Sequence, residues 1–391
     1  MTTPTPQGRQ RPGDVVMTFS FDSWGDAVRR GMHRPPERFI LTLVDHPSVE
    51  KLLVVNPFRS APVRMARTLV GQGDPAFPTT PAQSLLTPLR LRRQDPIDVP
   101  RLAETYRRWD RVVEREAAAR GLHDPVIITT NPFVAAFCEA DWARQVVFYA
   151  RDDWSELPAK RPWWPAYRAT YRHLRTNGRP IMAVSQQILD RIEPTGPSLV
   201  APNGIEPTEW QGAAPSPPAW FTEVPGPRAV YVGTLDTRID VDGLMHLVRA
   251  HPQLQVFLVG PLADGEHLRP LIESPQVHLP GVVDRGGVVS LLRAADVCLI
   301  AHQRTRLTEA MSPLKLYEYL AAGSPVLTPG FGPVRDVSPH VLITEDVGGF
   351  ADRLPEALAL GRMDETTRSS FVQDNSWAAR HELMLDFCLT P

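Results

Sequence analysis

The stretch Ser312-Pro313-Leu314-Lys315-Leu316-Tyr317-Glu318-Tyr319-Leu320-Ala321-Ala322-Gly323-Ser324-Pro325-Val326-Leu327-Thr328 carries the most information in this chain. A proline opens a helix where its missing N–H costs nothing. Gly323 closes it, and Pro325 starts an apolar strand. Lys315 and Glu318 are three residues apart and therefore share one helix face. A surface ion pair is the plain explanation. Yet a cation in the first turn opposes the helix dipole unless an anion compensates it. A diphosphate would do so, leaving Glu318 to accept from a ribose diol.

Outward from this helix, short apolar runs alternate with helical patterns. In the second half they are Ala229–Gly233, Gln255–Gly260, Val277–Gly281, Val297–Ala301, Pro325–Thr328 and Val341–Thr344. In the first half they are Val15–Ser20, Leu52–Asn56, Val126–Thr130, Val146–Ala150 and Ile181–Ser185. The runs are continuous, which suits parallel strands covered on both faces. Two α/β halves follow, each doubly wound. Prolines at 75, 78, 81, 88, 96 and 100 mark Asp74–Pro100 as an irregular excursion, and those at 207, 215, 217, 218, 225 and 227 mark a linker. The expected organisation is a first domain over 1–205, a linker over 206–227, a second domain over 228–375, and a final helical segment over 376–391.

Strand ends in the second half supply further candidates. Tyr231-Val232-Gly233-Thr234 leads through a turn to Arg238 and to Asp240, an N-cap candidate. Backbone N–H groups at Gly233 and Thr234, with Arg238 as charge partner, suit a phosphate, although an ordinary strand–turn–helix is the plainer reading of these residues taken alone. Gly260 ends the next strand at the same edge. Gly281-Val282-Val283-Asp284-Arg285 is a short loop that can hold a flat base, or a plain βα connection.

The run Pro313–Val326 resembles the signature helix of the large retaining glycosyltransferase family four, the group 1 transferases. Pro202-Asn203-Gly204-Ile205-Glu206, Tyr231-Val232-Gly233, Gly281-Val282-Val283 and Asn375-Ser376-Trp377 through Leu389 fall in the matching order, so the resemblance covers roughly residues 125 to 390. It implies the GT-B fold: two Rossmann-like domains with a cleft between them and a C-terminal helix crossing back to the first. The implied donor is a UDP-, GDP- or dTDP-sugar and no resident cofactor. Carried over by position, Glu318 binds the ribose, Arg238 grips the diphosphate, and Ser312, Pro313 and Leu314 border the site. The family's second phosphate cation has no counterpart after Arg238, so that duty moves to Lys315. The upstream signature glutamate falls on Ala310, with Glu309 one position away. Phe148-Tyr149-Ala150-Arg151-Asp152-Asp153-Trp154-Ser155 resembles a subgroup of teichuronic-acid and exopolysaccharide assembly. Ser20-Phe21-Asp22-Ser23-Trp24-Gly25 stands where the family has a glycine-rich loop. Acceptor-side candidates are therefore Ser23, Trp24, Asp152 and Asp153, for a glycan, lipid-linked or small-molecule acceptor.

Charge and composition narrow the classes. Residues 1–200 hold 28 Lys/Arg against 21 Asp/Glu, or +7, and residues 201–391 hold 14 against 23, or −9. The basic residues form no nucleic-acid module. Cys138, Cys298 and Cys388 are too few and too far apart for a disulfide framework or metal cluster. Met1 to Arg11 lacks a signal peptide's apolar core, so a cytoplasmic chain is expected. Metal-independent transfer is expected too, with Arg238 and Lys315 stabilising the leaving diphosphate. Lys160–Arg179 holds six cations and no acid, with Trp164, Tyr167, Tyr171 and Leu174 at helical spacing. That pattern fits either a core helix with a basic outer face or a contact with anionic membrane. A sugar-nucleotide epimerase of the same fold and a non-catalytic nucleotide-sugar-binding protein are the competing functions. A phosphorylase would need a dedicated Schiff-base lysine, and of the three lysines (Lys51, Lys160, Lys315) only Lys315 is well placed.

Overall fold

A computed structural model describes residues 12–63, 65 and 75–390. The polar segment 1–11 and Asp74, which opens the first proline-rich stretch, lie outside the described residues. The chain forms two compact units, Met1–Pro202 with Arg380–Pro391, and Asn203–Ala379.

The first unit is built on seven parallel strands: β1 Gly13–Thr18, β2 Val49–Val55, β3 Gln83–Leu86, β4 Val126–Thr129, β5 Gln145–Ala150, β6 Ile181–Ala183 and β7 Ser198–Val200, in the order β3-β2-β1-β4-β5-β6-β7. Val15 pairs with Leu52 on one side and Val126 on the other, and all three are buried. Such β-branched and aliphatic runs favour a pleated strand that is covered on both faces.

Two strands escape the sequence pattern. Gln83–Leu86 lies inside the stretch expected to be irregular, and only Ser84 of its four residues is fully buried. Ser198–Val200 closes the opposite edge with no fully buried residue. Edge strands lack the apolar run that a central strand needs, so periodicity does not reveal them.

The Trp164–Thr176 helix buries Tyr167, Tyr171 and Leu174, with Tyr167 stacked on Phe133 at 4.6 Å between ring centroids. Arg168, Arg172 and Arg175 face solvent. The aromatic stripe is thus core packing, and the membrane-facing version of it is corrected. Among the described residues, no helix is long and apolar enough to cross a membrane.

The second unit has six parallel strands: β8 Arg228–Val232, β9 Gln255–Val259, β10 Val277–Gly281, β11 Val297–Leu299, β12 Val326–Pro329 and β13 Val341–Thr344. Their order, β10-β9-β8-β11-β12-β13, is that of a dinucleotide-binding sheet, with the direction of winding reversing between β8 and β11. The proline-rich 206–227 stretch is a correction as well. It contributes two short helices, Pro207–Trp210 and Ala219–Thr222, whose Trp210 and Phe221 are wholly buried in the core with Phe257. Two large aromatic anchors hold this segment on the second unit, so the division falls at Pro202/Asn203 instead of along a free linker.

The last helix, Trp377–Leu389, begins in the second unit, where the Trp377 N–H donates to Ile205 O at 2.8 Å. Its later turns belong to the first unit. There Thr42 Oγ1 meets His381 Nδ1 at 2.6 Å, and Gln145 Nε2 donates to Cys388 O at 2.7 Å.

Candidate functional site

The winding reversal between β8 and β11 is where ligands enter sheets of this kind, beyond the carboxyl ends of the strands. Two loops meet there. Asp240 N donates to Ala301 O at 2.9 Å and Gln303 N to Arg238 O at 2.7 Å, so the turn after β8 is tied to the segment after β11. Asp240 caps the Val241–Ala250 helix by accepting from Gly243 N at 2.9 Å.

Gly233 and Gly260 are required by close approach. Gly233 has φ +150°, and a Cβ on it would lie 2.9 Å from Lys315 Nζ. Gly260 has φ +143°, and a Cβ there would lie 2.1 Å from Gly233 O. Both backbones sit in a region that L side chains rarely adopt. The absence of side chains lets the Lys315 ammonium settle at the end of β8.

Lys315 lies in the first turn of the Leu314–Ala321 helix, for which Pro313 is the N-cap residue. Its Nζ stands 3.8 Å above the Tyr231 ring and 3.3 Å from His302 Nε2. Burial, then the charge of Arg238, push its pKa down to about 7, against the pull of Glu318 and Asp236. Burial and the same two cations hold His302 far below its ordinary value, so the imidazole is neutral. Its Nε2 also lies 3.1 Å from Tyr231 Oη, and an Nδ1–H tautomer lets Nε2 accept from both neighbours.

Arg238 is half-buried and forks onto Asp236, with Nε at 2.9 and 3.1 Å and Nη2 at 2.8 Å from its two oxygens. Burial raises the Asp236 pKa, yet the Arg238 bonds outweigh it and keep the carboxylate ionised. Arg238 and Lys315 therefore lie close together, with Asp236 held by Arg238 and both Asp236 and Glu318 acting on Lys315.

Glu318 lies one turn further along the helix. Arg285 Nη1 donates to its Oε1 at 2.6 Å, while Arg285 Nε donates to Glu209 Oε2 at 2.9 Å. The guanidinium carbon also sits 5.4 Å from the Trp210 ring centre. Burial disfavours the charge on Arg285, but Glu318 and Glu209 together hold its pKa above the ordinary value. Asp284 accepts from Gly287 N at 2.7 Å and caps the Arg285–Ala294 helix, leaving Val282 exposed while Val283 packs partly buried against the core.

The other expected residues divide sharply. Ser312 is buried and its carbonyl accepts from Asn203 Nδ2 at 2.7 Å. Glu309 pairs with Arg304 at 3.1 Å, and Ala310 is buried. In the first unit, Ser23 and Asp26 form a capping box on the Trp24–Arg29 helix. Trp24 is buried, its backbone N–H on Asn56 Oδ1 at 2.8 Å and its indole N–H on Ala76 O at 3.3 Å. Asp153 is buried, pairs with Arg191, and accepts from Ser155 N and Oγ at 3.0 and 2.7 Å. Asp152 is half-buried with Arg151 at 4.0 Å. The Ser23, Trp24 and Asp153 side chains therefore serve caps, packing and a buried ion pair.

His302, Asp236 and Glu209 join the cluster around Lys315 and Glu318 without having been singled out, and Arg285 was read only as the end of a loop. His302 had one signal, a polar residue just beyond the apolar Val297–Ala301 run. The Arg285–Glu209 pairing had none, its members being 76 positions apart. Among the described residues, no three His, Cys, Asp or Glu are grouped to hold a metal ion.

Comparison with known proteins bears on this arrangement. Residues 226–359 match the family described as "Glycosyl transferases group 1". No curated protein sequence matches the chain. Among solved structures, the fold is similar to sucrose-phosphate synthase from Thermosynechococcus elongatus (16% identity, TM-score 0.66, 96% of this chain and 97% of that one). It is also similar to the trehalose-6-phosphate structure from E. coli bound with UDP-2-fluoro glucose (14%, 0.65, 97% and 99%). A third is Anabaena HepE in complex with UDP and glucose (16%, 0.52, 96% and 97%). At these identities the structural likeness speaks for the two-sheet GT-B fold, while the family match speaks for the second unit. The chain is a glycosyltransferase of GT-B fold, and residues 226–359 within its second unit match the group 1 family.

Proposed function

We propose that the chain transfers a sugar from a nucleotide-sugar donor to an acceptor hydroxyl, with retention at the anomeric carbon, in the assembly of a polysaccharide or glycoconjugate. The observation that carries this reading is the Lys315 ammonium beside Cβ-less Gly233, with Arg238 at the same strand edge. Two cations there suit a diphosphate, and Glu318 suits the ribose diol. As the anomeric C–O bond breaks, charge develops on the leaving nucleoside diphosphate, and fixed cations stabilise that charge without reorganising. The acceptor oxygen forms the new bond and its proton passes to the leaving phosphate or to water.

UDP-sugars are the first donors to try, because two of the similar structures hold UDP or a UDP-sugar analogue. The sequence resemblance to the group 1 family supports retention. Cys138, Cys298 and Cys388 are all buried free thiols, which suits a reducing cytoplasm. The test is slow turnover without acceptor: incubation with UDP-, GDP- and dTDP-sugars should release nucleoside diphosphate from one of them. Binding with no release from any donor points to a non-catalytic binder, and a changed sugar still joined to its nucleotide points to an epimerase.

A further inference from the structure

The first unit holds a cavity of about 240 Å³ at the carboxyl ends of its strands. Ser20 and Phe21 follow β1, Pro57 and Phe58 follow β2, and Phe133 follows β4. Its lining has four cations, Arg59, Arg90, Arg93 and Lys160, against one carboxylate, Asp95. That carboxylate is already engaged: one oxygen takes the Arg90 guanidinium and the other the Tyr106 hydroxyl at 3.3 Å. Arg59 is held by Asp26 at 2.6 Å.

Lys160 is different. It is half-buried, its Nζ lies 3.6 Å from the Phe21 ring centre and 5.7 Å from that of Trp163, and it pairs with no carboxylate among the described residues. Burial pushes its pKa down, against a weak pull from Asp95. A cation held on aromatic faces at the mouth of a cavity gains most from an anion entering it. Arg93 is exposed at the same rim and adds a second positive charge. The volume is below the ~300–1,000 Å³ of a drug-sized pocket, so the occupant is small. Trp163 is fixed by its indole N–H on Asp95 O at 3.2 Å, offering a rigid ring against which a sugar can lie.

We propose that the cavity lined by Phe21, Phe58, Arg90, Arg93, Lys160 and Trp163 is a subsite for an anionic sugar, its phosphate or carboxylate on Lys160 and Arg93 and its ring against the aromatic wall. This deepens the transferase reading, on which it rests, by naming the acceptor as an acidic saccharide. None of the acceptor residues suggested by the sequence lines this cavity.

The experiment is calorimetric titration of the full-length protein with hexose 6-phosphates, with glucuronate and with the parent hexoses. Saturable binding is expected for a phosphate or carboxylate form, at least about tenfold tighter than for its parent hexose, and the two anionic arms identify which group is read. Lys160→Gln and Arg93→Gln should each weaken that binding about ten- to a hundredfold, with the unfolding temperature checked for both. Arg93 is solvent-exposed, so its variant keeps the test valid should Lys160→Gln fold poorly. Equal binding of neutral and anionic sugars, or wild-type affinity in folded variants, overturns the proposal. Anionic sugars binding as expected with no nucleotide-sugar turnover leaves the subsite standing and removes the transferase reading. Transfer to a neutral acceptor with a KM untouched by either variant does the reverse.

Discussion

Arg285 Nη1 donates to Glu318 Oε1 at 2.6 Å, and the same guanidinium reaches Glu209. If Glu318 binds the ribose as proposed, it meets that ligand already partnered and oriented, at little cost in ordering. Arg285→Ala would leave two partly buried carboxylates without their shared cation. It should lower stability by about 1–3 kcal/mol and weaken donor binding, whereas Glu318→Ala should weaken binding with a smaller stability loss. Denaturant unfolding beside nucleotide-sugar titration separates the two. Equal stability of both variants contradicts the orienting role.

Gly233 and Gly260 make a graded pair. A methyl at Gly233 meets side-chain ends, Lys315 Nζ and Tyr231 Oη, while a methyl at Gly260 meets the Gly233 carbonyl, which is backbone. Gly233→Ala should chiefly reduce donor affinity, and Gly260→Ala should lower the unfolding temperature further than Gly233→Ala does. The reverse ranking would show that the strand ends do not pack as described.

Donor affinity should depend on pH through Lys315, whose pKa in the empty site is about 7. A bound diphosphate raises that value, so binding takes up a proton above neutrality. Affinity for an intact nucleotide-sugar, whose own charge is constant near neutral pH, should be greatest below pH 7. Above it, affinity should fall by up to about tenfold per unit. A flat titration from pH 6 to 9 would count against Lys315 as a phosphate ligand.

The same lysine should burden the fold. Its pKa is depressed from 10.5 to about 7, so the unfolded chain binds the proton more tightly between those values and stability rises with pH across them. Lys315→Met removes the cost of the buried charge. The variant should unfold at a higher temperature than the wild type at pH 6, with the gain fading toward pH 10 while donor binding is lost. A lower unfolding temperature at pH 6 would mean that the Tyr231 and His302 contacts outweigh burial.

The helix quoted at the outset was legible because its limits are chemical. Pro313 stands at its N-cap and Gly323, at φ +79°, just past its end. Continuous apolar runs likewise located the central strands to within a few residues. Gln83–Leu86 was hidden because prolines 81 and 88 flank a strand with only two apolar residues, Leu85 and Leu86, too short a run to stand out. The 206–227 segment read as linker because its prolines outnumber Trp210 and Phe221, the two side chains that anchor it. Of the residues gathered around the end of β8, Lys315, Glu318, Arg238 and Gly233 were visible from spacing and resemblance. The Arg285 bridge was not, since a pairing between helices 33 residues apart leaves no local pattern.

The central claim is that Lys315 and Glu318 bind the diphosphate and ribose of a nucleotide-sugar. Titration calorimetry of the wild type, Lys315→Ala and Glu318→Ala with UDP-, GDP- and dTDP-sugars tests it most directly. The account predicts saturable binding of at least one donor by the wild type and about a ten- to hundredfold loss in each folded variant. Wild-type affinity in both variants, or no binding of any donor by the intact protein, would contradict it.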